Sequence, residues 1–123
     1  MTKDCGSKGE RNTGKNKTVL KVEDFRLCFN GRFGAVHAVR DANLEVRRGE
    51  IVALVGESGC GKTALCRAIL MLHSAHARYL SGRILLDGRD VRTCSEKEME
   101  QIRGKAASLV FQNPLSSLNP VYR

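Results

Sequence analysis

Eight consecutive residues, Gly56-Glu57-Ser58-Gly59-Cys60-Gly61-Lys62-Thr63, set glycines, a lysine and a hydroxyl at the spacing Gly-x-x-x-x-Gly-Lys-Thr. Glycines permit backbone conformations that a side chain would block, so successive N–H groups can converge on phosphate oxygens. A helix opening at the end of such a loop adds its partial positive charge. Lys62 is then placed to reach the β- and γ-phosphates of a nucleoside triphosphate, and the Thr63 hydroxyl to ligate a Mg²⁺ that bridges them. The pattern alone identifies a triphosphate site and no family: GTPases, small-molecule kinases and helicases share it, and a glycine-rich turn is the bland alternative.

The elements around the loop must deliver it in the order strand, loop, helix. Ile51-Val52-Ala53-Leu54-Val55 is a continuous apolar run, expected of a central strand buried on both faces. After the loop, residues 63–72 contain no Gly or Pro, and Leu65, Ile69 and Leu72 are spaced to share a helical face. Upstream, residues 18–29 read as a strand whose inward parity changes near Glu23 and Asp24, which predicts a bulge or a break. Asn30-Gly31 marks a turn, and residues 36–46 return as a second strand. Residues 73–81 read as irregular, residues 82–91 as a short hairpin turning at Asp87-Gly88. Ser95-x-x-Glu98 has the form of a capping box for a helix ending at Gly104, and residues 106–112 resume as a strand stopped by Asn113-Pro114.

Composition limits what this assembly can be. A chain of 123 residues with 41% apolar residues supports one small domain. Its longest apolar blocks fall far short of the roughly 18 to 20 residues of a membrane-spanning helix, and no secretory signal is readable, which predicts a cytoplasmic protein. Cysteines at 5, 28, 60, 66 and 94 form no Cys-x-x-Cys pair, so free thiols are expected. The formal charge of +8 raises nucleic acid as a partner, but residues 1–17, with five basic and two acidic side chains, hold +3 of it in a polar tail expected to be disordered. The remainder is scattered without interleaved aromatics, so no nucleic-acid partner is expected. Cys60 beside helix-end positive charge could be a low-pKa thiol or a small filler. His73 and His76 lack a third ligand and read as loop residues.

The phosphate loop, together with Val110-Phe111-Gln112-Asn113-Pro114-Leu115-Ser116-Ser117-Leu118-Asn119-Pro120, resembles ABC-transporter ATPases of the dipeptide, oligopeptide and nickel uptake group. The hairpin from Ser81 to Asp90 resembles the same family's antiparallel region, and the likeness runs from about Val19 to Arg123. The resemblance implies an α/β fold: part of a P-loop ATPase domain over residues 18–123, with an antiparallel β subdomain at its N-terminal side. It implies ATP as the nucleotide, with Mg²⁺ held by Thr63 and Gln112, and Gly56 to Ala64 as the cradle. Lys62 and Gln112 would serve catalysis, Gln112 lying in the family's Q-loop and reporting nucleotide state to transmembrane permease subunits. Phe33 occupies the place of an aromatic that stacks on adenine, although nearby Phe25 and Phe29 leave a core role open. Further implied partners are a second ATPase subunit, identical or not, and indirectly a solute-binding protein, at the inner face of the cell membrane. Thr63 stands for the usual Ser, and Ala64 for a frequent Thr; neither change threatens phosphate binding.

The family's other motifs are not found. There is no Leu-Ser-Gly-Gly-Gln signature, no apolar strand ending in Asp-Glu and no later switch histidine. Leu80-Ser81-Gly82 and Ile84-Leu85-Leu86-Asp87 mimic two of these, but Arg83 and Gly88 follow them, and both lie before Gln112. A truncated or incomplete chain is therefore expected, with doubtful turnover by itself, and a non-hydrolysing nucleotide-binding module, an inert remnant, or a soluble P-loop kinase or GTPase as rivals.

Overall fold

A computed structural model of the chain describes residues 17–112. The expected tail over residues 1–17, apart from Lys17, lies outside the described residues, as do Cys5 and the segment from Asn113 to Arg123. Two long antiparallel strands, β1 (Thr18–Gly31) and β2 (Gly34–Arg47), form the frame, joined at Arg32 and Phe33. The turn falls two residues later than expected, because Asn30 and Gly31 still pair with Ala35 and Gly34. A third strand, β3 (Ala77–Leu86), lies on the other side of β1, and the short β4 (Arg89–Asp90) closes the hairpin, giving the order β2-β1-β3-β4. The hairpin turns at Asp87 and Gly88, both at positive φ (47° and 80°), the geometry that matches strand twist. Residues 77–81, expected to be irregular, are strand because they pair with Arg26 to Phe29 of β1.

The parity change in β1 is a true break in register. Asp24 takes φ 44°, Val22 and Phe25 are both buried, and the pairing shifts between them. On the opposite strand sits Gly82 (φ 85°), where an added Cβ would overlap the Glu23 and Asp24 carbonyl oxygens and the Phe25 Cα. Only a residue without a side chain lets β3 approach the bulge this closely.

Helix α1 (Lys62–Ile69) and helix α2 (Glu96–Ile102) cover the inner face of the sheet. The core joins Val22, Phe25 and Leu27 of β1, Val39 of β2, Ile84 and Leu86 of β3, Leu65 and Ala68 of α1, Met99 and Ile102 of α2, and Val91. The expected α1 face is only partly right. The helix ends at Ile69 and Met71 turns into the left-handed region (φ 54°), so Leu70 is buried while Leu72 is exposed. Arg103 fastens this end, donating from Nε to the Leu70 carbonyl at 2.9 Å and from Nη1 to Glu96. The capping box of α2 is formed: Ser95 Oγ accepts from the Glu98 N–H, and Glu98 accepts from the Ser95 N–H at 2.7 Å. The helix runs to Ile102, and the chain turns at Gly104 as expected.

Two expected strands are not formed. Ile51 to Val55 is unpaired, with Ile51 97% and Val55 93% exposed, and residues 106–112 contribute only an isolated bridge from Ala107 to Arg103. Both runs are apolar enough for a parallel sheet, but such strands need a neighbour on each side and a covered face. Among the described residues nothing supplies either. No helix among the described residues is long and apolar enough to cross a membrane. His73 is more than a loop residue: it stacks edge-on between Phe29 (5.5 Å) and Tyr79 (5.9 Å).

Candidate nucleotide-binding site

The glycine loop leaves the Ile51–Val55 run and delivers the chain into α1 through Gly61, which caps the helix at φ 94°. An added Cβ at Gly61 would overlap the Ala38 carbonyl oxygen of β2. The first turn of α1 contains no acidic residue and has no side-chain cap, so its free N–H groups and the helix dipole present positive potential to the loop. This local order of extended run, loop and helix is the one a phosphate cradle requires.

Lys62 is folded back into the loop. Its ammonium donates to the Gly56 carbonyl at 2.7 Å, the Glu57 carbonyl at 2.5 Å and Cys60 Sγ at 3.1 Å. A lysine has three donors, so the loop engages all of them. The ammonium also pulls the Cys60 thiol below its ordinary range, chiefly by hydrogen bonding, and Cys60 is exposed. Sulfur and loop are tightly fitted: a Cβ at Gly56 would come within 2.7 Å of Cys60 Sγ.

A cavity of about 500 Å³ opens over this loop, lined by Gly56, Ser58, Gly59, Gly61, Lys62, Thr63, Ala64, Ala38 and Gln112. The structure thus brings Gln112, forty-nine residues after Thr63, to the same cavity. Glu57 and Cys60 reach it only through their contacts with Lys62. Phe33 is fully exposed at the β1–β2 turn and does not line the cavity; its exposure removes the core reading. Ala38 was illegible in the sequence, since a small side chain on a strand carries no chemical signal. A neighbouring cavity of about 400 Å³ shares Lys62, Thr63 and Gln112 and extends between Leu54, Cys66, Arg67 and residues 109–111.

The oxygen donors here suit Mg²⁺. The Thr63 hydroxyl and Gln112 amide oxygen are hard ligands, and Mg²⁺ characteristically takes few protein ligands beside phosphate and water. No group of three or more His, Cys, Asp or Glu side chains able to hold a metal occurs among the described residues.

Comparison with known proteins agrees with this geometry. Residues 39–123, more than half of the chain, match the family model described as ABC transporter. The chain is 41% identical over 106 residues to the oligopeptide transport ATP-binding protein OppD of Bacillus subtilis (strain 168), covering 85% of this chain and 30% of the relative. It is 41% identical over 103 residues to the dipeptide transport ATP-binding protein DppD of the same organism, covering 83% and 31%. It is likewise 41% identical over 106 residues to the probable D,D-dipeptide transport ATP-binding protein DdpD of Escherichia coli (strain K12), covering 85% and 32%. The chain therefore spans about a third of the length of these relatives. With a glycine loop, its lysine and threonine, and Gln112 around one cavity, and with this match over most of its length, the chain belongs to the ABC transporter ATP-binding family.

Proposed function

We propose that this chain grips ATP as part of an ATP-binding subunit that powers uptake of peptides or a related small solute. The observation that carries the reading is the convergence of Lys62, Thr63 and Gln112 on one cavity over the glycine loop. Backbone N–H groups of the loop and of the first turn of α1 hold the phosphate oxygens. Lys62 trades its bonds to the Gly56 and Glu57 carbonyls and to Cys60 Sγ for bonds to the β- and γ-phosphates, which couples the shape of the loop to occupancy. Thr63 and Gln112 would hold Mg²⁺, which when bound would supply charge neutralisation to the phosphates. Phe33, fully exposed on the β1–β2 turn, offers a face for adenine stacking.

In the complete assembly the subunit works with permease subunits, a second ATPase subunit and a solute-binding protein, on the inner face of the membrane. The names of the relatives support the peptide class. A second reading is favoured by one detail: no carboxylate lines the cavity among the described residues, so nothing there orients or deprotonates water. On that reading the chain binds nucleotide without turning it over.

Calorimetric titration of the 123-residue chain with Mg-ATP tests the proposal. Saturable binding that Lys62→Ala weakens at least tenfold supports it, and no heat from well-folded protein refutes it. Parallel measurement of phosphate release decides between hydrolysis and binding alone.

A further inference from the structure

Sharing no residue with the cavity over the glycine loop, a second hollow of about 520 Å³ is lined by Arg26, His37, Arg40, Asp41, Leu80 and Ser81. A regular pleated sheet face has no such concavity, and its origin lies in the strand register. Phe25 pairs with Ala42 and Leu27 with Val39, so Arg40 and Asp41 together oppose the single residue Arg26. On the other side Arg26 pairs with Ser81 and Leu27 with Tyr79, so Leu80 is the extra residue there. Two register breaks thus flank Arg26, and Asp41 pays for one of them with a left-handed backbone (φ 48°) that side-chain-bearing residues seldom adopt. Such bulges re-aim side chains and gather near functional sites.

The lining carries a small positive excess. Two guanidinium groups meet one lining carboxylate, Asp41, which is already engaged by Arg26 Nε at 2.6 Å, and Asp24 adds a further negative charge acting on Arg26. Neither the Arg40 nor the His37 side chain forms a hydrogen bond or ion pair among the described residues. Arg26 keeps its terminal nitrogens for a further acceptor, and Arg40 offers its whole planar fork. Leu80, 47% exposed, forms an apolar wall beside them.

We propose that this hollow binds a phosphate group, carried by a small solute or by a lipid headgroup. A phosphate monoester brings up to two negative charges and three acceptor oxygens, enough to engage both arginine forks while Asp41 keeps its own bond. A single carboxylate would only duplicate Asp41.

The site goes beyond the nucleotide reading and does not rest on it. The test is titration of the ¹⁵N-labelled 123-residue chain with inorganic phosphate at low salt, following amide shifts. Saturable shifts at Arg26, Arg40, Asp41 and Ser81 are expected, and they should persist in Lys62→Ala, which abolishes shifts in the glycine loop. Arg40→Gln, an exposed change, should weaken the sheet-face site about tenfold. Asp41→Asn keeps a residue tolerant of the left-handed backbone, removes the competing charge and should tighten binding. Vesicles of phosphatidylcholine with and without phosphatidic acid then identify the source: Arg40-dependent binding to the acidic vesicles alone points to a lipid headgroup, its absence to a soluble phosphate. Unsaturable shifts at these residues, or phosphate affinity indifferent to both Arg40→Gln and Asp41→Asn, would overturn the proposal.

Discussion

Gly61 and Ala38 touch backbone to backbone: any side-chain carbon at Gly61 would occupy the space of the Ala38 carbonyl oxygen. The contact fixes where α1 begins relative to β2, and so fixes where Lys62 and Thr63 stand. Gly61→Ala combines that overlap with a φ of 94°. It should cost about 2 kcal/mol or more and lower Mg-ATP affinity at least tenfold, read from urea unfolding and calorimetry. Unchanged affinity would show that the loop does not depend on β2.

Gly82→Ala should be as damaging to stability and neutral to the loop. Its Cβ would overlap two carbonyl oxygens and a Cα of the Glu23–Phe25 bulge, all backbone atoms that cannot swing aside. A loss of about 2 to 3 kcal/mol in denaturant unfolding is expected.

Cys60 should be the fastest-reacting thiol among the described residues. Lys62 holds its pKa down and its side chain is exposed, whereas Cys28 is buried. Iodoacetamide labelling followed by mass spectrometry should find Cys60 first, Mg-ATP should slow it, and Lys62→Ala should slow it too by raising the thiol pKa. Equal rates at Cys60 and Cys66 would contradict the hydrogen bond at 3.1 Å.

Stability should decline in mildly acidic solution because of His73. Burial, aided by the charge of Arg67, holds its pKa below the ordinary 6.5, while the Ala64 backbone opposes the shift only in part. Among the described residues neither its buried Nε2 nor the buried hydroxyl of the neighbouring Tyr79, whose pKa burial pushes up to about 12, has a hydrogen-bond partner. The unfolded chain therefore takes up the proton first, so stability is fully present above about pH 6.5 and is lost as the pH falls through the lowered folded value. Urea midpoints at pH 7.5 and 5.5 should show the drop, and His73→Phe should flatten it.

Ser95→Ala removes one half of the α2 capping box and should cost about 1 kcal/mol. Glu98, held low by its bonds to Ser95, contributes above the ordinary carboxylate range and loses its effect as acid protonates it. The variant keeps the Ser95 N–H bond to Glu98 and loses only the hydroxyl's, so its unfolding should depend somewhat less on pH than the parent's below about pH 4.5.

The parts of this molecule that were legible in the sequence are those whose signals are local. The glycine loop, the capping box at Ser95 and the Asp87-Gly88 turn each specify their geometry within a few residues, and each appears as expected. The break at Asp24 was readable because the alternation of Leu20, Val22, Phe25 and Leu27 cannot be satisfied without it. What failed depends on partners far along the chain. Ile51 to Val55 has the composition of a doubly buried strand, but composition cannot supply the neighbours that pairing requires. Likewise Ala77 to Ser81 looked irregular until β1 paired with it, and the hollow around Arg26 exists only through register shifts that no single strand reveals.

The bare stretch from Ile51 to Val55, with Val110 beside the second cavity also largely in water, makes concentration a variable of state for this molecule. Greasy backbone whose amides find no partner among the described residues sticks to its own kind, and the attraction strengthens on warming. Crowded or heated samples should cloud before they unfold, and dilution, cold or a little urea should keep them clear.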